Sequence, residues 1–293
     1  TDASGQVVLN FDGQHYAVWR RDTGDGPLLV LPNDVESTCL SRSGRRVAAV
    51  TSGEAVVWDL DPVAETARFR GDDSDLTAVA FSNDDQRLAA RDRLGGVQIL
   101  EISSRQCVAR APSAAPGREP LHSMGELLFS PDDSQLADAW VDIAGRIWNV
   151  HAAPLTAVEL VERPGDYRVQ GFSPDGRLLA VGDLGGAVRI FDTAAGRCRQ
   201  SFVAHRGRVR SVAFTGDGRG LWTCGEGDLR LWDVDANAGE RVVRIDGESF
   251  HSVDSSPAGD WLCAGGGLGR LHRIESGTLA VTSLDFGNEA PIS

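Results

Sequence analysis

The sequence predicts an all-β fold made of seven copies of a four-stranded antiparallel sheet. An apolar anchor followed by a polar turn recurs every 41 to 48 residues, at Leu40, Phe81, Phe129, Phe172, Phe214 and, in degraded form, Ser255. A second landmark, most often aromatic, lies 17 to 19 residues after each anchor, at Trp58, Leu100, Trp148, Phe191, Trp232 and His272. One further landmark, Trp19, gives the seventh copy. Repetition at this period is typical of a seven-bladed β-propeller.

Each unit contains four short runs in which apolar and polar residues alternate, bounded by Gly, Asp, Asn or Pro. This pattern predicts half-buried antiparallel strands joined by tight turns. In the fifth unit the predicted strands are 167–172, 177–182, 187–192 and 197–203. The predicted blade units of this single domain, 1–293, are 1–33 with 286–293, 34–70, 71–110, 121–163, 164–204, 205–246 and 247–285.

The chain begins part-way through a unit. Predicted strands at 6–11, 16–20 and 28–31 leave the first blade without its innermost strand. The segment 286–293 follows the last blade's outer strand. We therefore expect this C-terminal segment to complete blade 1 and close the ring, which removes exposed strand edges.

The landmarks resemble those of the WD-repeat (WD40) family. The matching residues are Trp58-Asp59, Trp232-Asp233, the softened pairs Trp148-Asn149 and Phe191-Asp192, the turn 171–176, and the segment 203–209 with Ala204 in a glycine position. The resemblance implies a propeller with structural roles for Trp58, Asp59, Trp148, His205, Trp232 and Asp233. Family members often carry a buried His–Ser/Thr–Asp–Trp network. In the nearest case here, His205 with Trp232, we assign Cys224 to the hydroxyl position and Glu226 to the Asp position, so an incomplete network and moderate stability are expected.

The composition excludes some classes of function. The formal charge of −13 disfavours binding to nucleic-acid phosphates. No apolar run reaches membrane-spanning length, and the first residues do not form a signal peptide, so neither a membrane nor secretion is expected. All 29 basic residues are Arg, which suggests a GC-rich, bacterial source. The five widely spaced Cys include no CxxC pair and favour a reducing, cytoplasmic compartment.

No motif predicts catalysis, a cofactor or a metal site. The glycine-rich pieces at 182–188 and 264–269 precede alternating strands, so we interpret them as hairpin turns rather than phosphate loops. Asp233, Asp235 and Asn237 resemble the start of a calcium loop, but Ala238 and Arg244 occupy its required Gly and Glu positions. We therefore predict that the protein is not an enzyme.

Two features differ between units and are candidates for partner binding. The first is the long Pro-containing loop 110–120, which includes Arg118 and Glu119. The second is the run Arg206, Arg208 and Arg210, since arginine forks suit carboxylates and phosphates. A tolerated insertion and a solvated rim paired with acids such as Glu226 are the alternatives.

Two aromatic residues, Tyr167 and Phe250, lie at comparable loops and could anchor a partner. The alternative is that they are buried at the starts of inner strands.

These observations favour a non-catalytic scaffold that binds a protein or peptide, as a module of a larger signalling or regulatory protein. Two alternatives stay open. One is a propeller enzyme or small-ligand sensor with a site at the central channel mouth. The other is a domain that packs against another part of its own chain.

Overall fold

The computed structural model describes residues 6–11, 15–20, 26–72, 74–112, 126–138, 145–160, 167–225, 227–235, 240–244, 249–256, 260–266 and 270–285. Within these residues all regular secondary structure is β-strand, arranged in seven antiparallel sheets. The sheets follow one another along the chain, and we number them as blades 1 to 7.

Blade 1 contains β1 (Val7–Phe11), β2 (Tyr16–Arg20) and β3 (Leu29–Val30). Blade 2 contains β4 (Val35–Leu40), β5 (Arg46–Thr51), β6 (Glu54–Leu60) and β7 (Val63–Arg70). Blade 3 contains β8 (Leu76–Phe81), β9 (Arg87–Asp92), β10 (Val97–Glu101) and β11 (Gln106–Ala111). Blade 4 contains β12 (Leu127–Phe129), β13 (Gln135–Asp138), β14 (Arg146–Asn149) and β15 (Thr156–Glu159).

Blade 5 contains β16 (Tyr167–Phe172), β17 (Leu178–Asp183), β18 (Ala187–Asp192) and β19 (Cys198–Val203). Blade 6 contains β20 (Ser211–Phe214), β21 (Gly220–Cys224), β22 (Leu229–Asp233) and β23 (Glu240–Val243). Blade 7 contains β24 (Phe250–Ser255), β25 (Trp261–Gly266), β26 (Arg270–Glu275) and β27 (Val281–Asp285).

These sheets confirm the predicted all-β, seven-bladed propeller of antiparallel blades. In blade 5 the predicted strands agree with the observed ones to within one residue at each end. Blade 1 has three described strands, as expected for a blade that lacks its innermost strand. The segment 286–293, predicted to supply that strand, lies outside the described residues.

The chain divides into two compact units, residues 1–138 with 147–157, and residues 139–146 with 158–293. In the second unit the core lies between the faces of successive blades. One cluster joins blades 5 and 6 through residues such as Val188, Val212 and Leu221. Another joins blades 6 and 7 through residues such as Trp222, Phe250 and Leu262. Both faces of blade 6 are therefore covered by neighbouring blades, which accounts for the many apolar residues in its strands.

The recurring polar turn owes its sequence to one hydrogen-bonding arrangement. In blade 5 the Ser173 hydroxyl donates to Asp175 (2.6 Å) and accepts from the backbone N–H of Leu178 (2.9 Å). Ser82, Ser130 and Thr215 make the equivalent bonds in blades 3, 4 and 6. The hydroxyl holds the pKa of Asp175 below its ordinary value. These residues recur because each blade turns in the same way.

The residue that follows the turn aspartate differs between blades. Blades 5 and 6 place glycine after the aspartate, at φ angles of 71° for both Gly176 and Gly218. Blades 3 and 4 place Asp85 and Asp133 there, each at a φ of 59°. Asp133 accepts from the backbone N–H groups of Asn83 (2.7 Å) and of the next residue in the blade 3 turn. Asp85 makes the same two contacts with the blade 2 turn. The left-handed aspartates thus tie neighbouring turns together.

Candidate functional site

The three predicted partner-binding arginines lie on the connection between β19 and β20. Arg206 and Arg208 are exposed, and Arg210 is half-buried. The backbone N–H of Arg210 donates to the carbonyl of Cys224 (2.8 Å), at the end of β21. The connection therefore lies at the same end of blade 6 as the turn between β21 and β22. We call this region the arginine end of blade 6; it comprises residues 204–210, 224–225, 227–230 and 242–244.

The other predicted partner residues do not join this site. Phe250 is fully buried between blades 6 and 7, so its prediction as a partner anchor was wrong. It begins an inner strand, and its ring meets His272 edge-on at 5.7 Å. Tyr167 also begins an inner strand, β16. Arg118 and Glu119 lie outside the described residues, whereas Arg110, at the start of their loop, pairs with Asp72 (2.8 Å).

A buried hydrogen-bonded network underlies the arginine end. His205 is 4% exposed. Its Nδ1 lies 2.9 Å from Asp228 Oδ1, and its Nε2 lies 2.9 Å from Thr223 Oγ1. Trp232 Nε1 donates to the same Thr223 oxygen (3.0 Å). Because an indole N–H only donates, the Thr223 hydroxyl can accept from Trp232 and donate to Nε2 of a neutral His205. Nδ1–H of His205 then donates to the Asp228 carboxylate.

The network is complete, so the assignment of Cys224 and Glu226 to it was wrong. Thr223 supplies the hydroxyl and Asp228 supplies the carboxylate. The reason is strand alternation: Leu221 pairs with Trp232 and Thr223 pairs with Arg230, which places Thr223 on the same face as Trp232. Cys224 lies on the opposite face, in the core between blades 6 and 7, where burial raises its pKa to about 12. Counting in steps of two from Trp232 gives Cys224, so Thr223 is identified only by the pairing of Leu221 with Trp232 across the hairpin.

Asp228 is the electrostatic centre of this end of the blade. Burial by itself raises the pKa of its carboxyl, but hydrogen bonds and charge from Arg230, together with His205, outweigh burial and lower the pKa. Arg230 contacts it through Nη2 at 2.9 Å and Arg244 through Nη2 at 3.5 Å. The carboxylate is therefore already engaged by three cationic or donor side chains. Arg230 and Arg244 were not predicted from the sequence.

Two close backbone approaches hold His205 in place. The carbonyl of Gly186, in the turn between β17 and β18, accepts from the N–H groups of Ala204 (2.8 Å) and His205 (3.1 Å). A Cβ at Gly186, which has a φ of 89°, would lie 2.1 Å from the His205 carbonyl oxygen. A Cβ at Gly225 would lie 2.4 Å from the His205 ring. Both sites therefore require glycine, and the segment before Arg206 is firmly fixed.

Exposed apolar side chains flank the arginines. Val203, the last residue of β19, is 72% exposed, and Leu184, in the Gly186 turn, is 37% exposed. The Val209 N–H donates to the carbonyl of Asp183 (3.0 Å), which joins this turn to the arginine connection. Val203, Arg206 and Arg208 are thus exposed on one connection, and Leu184 is exposed on the turn that this connection contacts.

The remaining landmark residues are structural. Trp58 packs in the core between blades 1 and 2, and Asp59 accepts from Arg46 Nε (2.8 Å). Trp148 is 6% exposed, in the core between blades 3 and 4. Asp233 is exposed and accepts from the backbone N–H of Asp235 (2.9 Å), which forms a turn. Asn237, the third residue of the calcium-loop resemblance, lies outside the described residues.

In the part of the chain that the structure describes, no three His, Cys, Asp or Glu side chains come together as metal ligands. The five cysteines are free thiols. None of the described segments is a helix long and apolar enough to span a membrane.

Comparison with known proteins places the chain among repeat proteins. Residues 150–192 and 196–233 match the family model of the WD domain, G-beta repeat (WD40). These segments include the whole His205–Thr223–Asp228–Trp232 network. A crystal structure of the Myceliophteria thermophila Cps50 (Swd1) beta-propeller domain superposes with a TM-score of 0.63 and 16% identity, covering 87% of both chains. This likeness supports the fold.

The chain is similar to curated proteins of several kinds. It is 22% identical to WD repeat-containing protein 91 of Danio rerio, over 85% of this chain and 40% of that protein. It is 32% identical over 102 residues to pre-mRNA-processing factor 19 homolog 2 of Arabidopsis thaliana, covering 33% of this chain and 18% of that protein. It spans less than half the length of either relative. Both relatives are eukaryotic and lend no support to a bacterial source. The repeats, the family-model matches within residues 150–233 and the seven sheets together show a seven-bladed β-propeller that contains WD repeats.

Proposed function

We propose that this chain is a non-catalytic module that binds another protein, and that the arginine end of blade 6 is its contact surface. The partner is a separate protein or another segment of a longer polypeptide. WD40 propellers commonly bind proteins, and the relatives are longer than this chain.

The proposal rests on a contrast within residues 203–210: the backbone is held by hydrogen bonds and buried residues, which we call the frame, whereas two arginine side chains are exposed. The frame is fixed by His205, Val209 and the Gly186 turn, all of them buried or hydrogen-bonded. The exposed side chains Arg206 and Arg208 take no part in that frame and form no ion pair within the described residues. A rigid loop that presents unused side chains is suited to recognition, because little ordering entropy is lost on binding.

A charge-reduced variant tests this proposal. Arg206→Ser with Arg208→Ser removes two exposed side chains and leaves the frame intact. The matched control, Arg177→Ser with Arg219→Ser, removes two exposed arginines from the turns at the opposite end of blades 5 and 6. Each tagged protein is expressed in its native cells, and co-purifying proteins are quantified by mass spectrometry.

The expected result is a stoichiometric partner that copurifies with the unaltered chain and the control, and is depleted at least tenfold from the Arg206/Arg208 variant. If the same partners copurify with all three proteins, the contact surface lies elsewhere. If no stoichiometric partner copurifies with any of them, a separate protein is ruled out as the partner.

A further inference from the structure

We infer that the arginine end of blade 6 recognises an acidic peptide segment that also carries apolar side chains. This inference rests on the proposed function and specifies the chemistry of the partner. It concerns a segment whose Asp or Glu carboxylates meet Arg206 and Arg208 while its apolar residues cover Val203 and Leu184.

The first argument is charge. The protein has a formal charge of −13, yet five arginines lie at this end of one blade: Arg206, Arg208, Arg210, Arg230 and Arg244. Arg230 and Arg244 are directed at Asp228, which also engages His205. Among the described residues of this end, Asp228 is the single carboxylate, and its charge is shared by those groups. Arg206, Arg208 and Arg210 form no ion pair within the described residues, outside which Glu226 lies.

The second argument is that the fold does not require these arginines. The connection between β7 and β8 occupies the corresponding place between blades 2 and 3, and its residues 71–75 read GDDSD. There the Leu76 N–H donates to the carbonyl of Gly53 (2.9 Å), the same type of bond that Val209 makes with Asp183. The same backbone junction is thus built once with aspartates and once with arginines. Formation of this junction therefore does not explain why the side chains there are basic.

The third argument is Arg210. Its Nε is buried and has no hydrogen-bond partner within the described residues. A buried donor without a partner costs free energy, and a ligand group that reached it would offset that cost. Carboxylates match the planar fork of arginine well.

The fourth argument distinguishes an acidic segment from a single phosphate. A phosphate site would need several guanidinium groups directed at one point. Here Arg230 and Arg244 point to Asp228, whereas Arg206 and Arg208 lie along an exposed connection beside Val203 and Leu184. Charges spread along a strip with apolar neighbours fit an extended segment of alternating chemistry.

The test is an unbiased selection from a display library of random twelve-residue peptides. The library is selected separately on the unaltered chain, on Arg206→Ser with Arg208→Ser, and on Arg177→Ser with Arg219→Ser. We expect peptides selected on the unaltered chain and on the control to be enriched in Asp and Glu together with Leu, Val or Phe. We expect that enrichment to disappear on the Arg206/Arg208 variant.

Binding of the most enriched peptide is then measured by fluorescence anisotropy. The dissociation constant should rise at least tenfold for the Arg206/Arg208 variant, less than twofold for the control, and should increase with added salt. Replacing Glu by Gln in the peptide should reproduce the tenfold loss. Thermal unfolding of both variants, compared with the unaltered chain, checks that each remains folded.

Several outcomes would overturn the inference. Selected peptides without acidic enrichment would leave the scaffold function standing and refute the acidic partner. The same holds if acidic peptides bind the Arg206/Arg208 variant as well as the unaltered chain. A phosphoserine peptide that binds at least tenfold more tightly than its Glu counterpart would make phosphate the ligand instead. Self-association in sedimentation that the Arg206/Arg208 variant abolishes would make a second copy of the chain the occupant.

Discussion

Replacing Thr223 by valine removes the hydroxyl at the centre of the blade 6 network and changes little else. Valine has nearly the same shape and favours β-strands, so the packing of this fully buried position is kept. The change removes two hydrogen bonds, one with His205 Nε2 (2.9 Å) and one with Trp232 Nε1 (3.0 Å). It leaves the His205 ring nitrogen buried next to a methyl group.

The expected cost follows from these contacts. A typical hydrogen bond contributes about 1 kcal/mol net, and a buried polar group left without its partner costs about 1–3 kcal/mol. His205 is 4% exposed and incurs most of that penalty, whereas Trp232 is half-buried and incurs less. We expect Thr223→Val to lower the free energy of unfolding by about 2–4 kcal/mol. At about 2–4 °C per kcal/mol, Tm should fall by roughly 4–16 °C.

Urea unfolding followed by far-UV circular dichroism measures this change, because the signal reports on all sheets. The matched control is Thr77→Val, which removes a buried strand hydroxyl whose hydrogen bond, to the Arg91 carbonyl, is long at 3.4 Å. Its cost should stay below about 1 kcal/mol. A double-mutant cycle with Trp232→Phe should give a coupling of about 1 kcal/mol. The reasoning is refuted if Thr223→Val and Thr77→Val differ by less than about 0.5 kcal/mol.

Three further predictions concern other parts of the frame. Asp133→Gly relieves a left-handed φ but removes three hydrogen bonds from the blade 3 turn, two of them from Asn83, so urea unfolding should show a net loss of about 1 kcal/mol. A gain in stability would show that backbone strain dominates. Asp138→Ala leaves the 4% exposed Arg91 side chain without its 2.6 Å partner, and calorimetry should show a loss of about 3–5 kcal/mol, whereas apolar replacement of both residues should cost clearly less. Hydrogen bonds from turn hydroxyls lower the pKa of carboxyls such as Asp175, so the native state binds these protons less readily than the unfolded chain. The stabilisation from these hydrogen bonds is complete above about pH 5 and declines as the pH falls below about 4. A urea midpoint that rose on acidification would contradict this.

Much of the fold could be predicted because its signals are local and repeated. The strand alternation and the turn Ser173–Gly176 recur in successive units, so a unit with a degraded pattern can be assigned from the spacing of the clearer ones. The candidate site was predicted less well. Arg206 and Arg208 are exposed as expected, but Phe250 is buried, because the start of an inner strand can face either the core or the loops. Sequence position alone does not distinguish these cases.

The sequence by itself determined the number of blades, the order of the strands and the function of the Ser-x-Asp turns, because these depend on period and on hydrogen bonds within a few residues. Only the tertiary structure decided which side chains meet across a blade. It brought His205 to Thr223 and Asp228, which are 18 and 23 residues away along the chain. It also placed Cys224 on the opposite face, since the register of β21 with β22 fixes the facing of every residue in the pair. The completed network then fixes the connection from which Arg206 and Arg208 project.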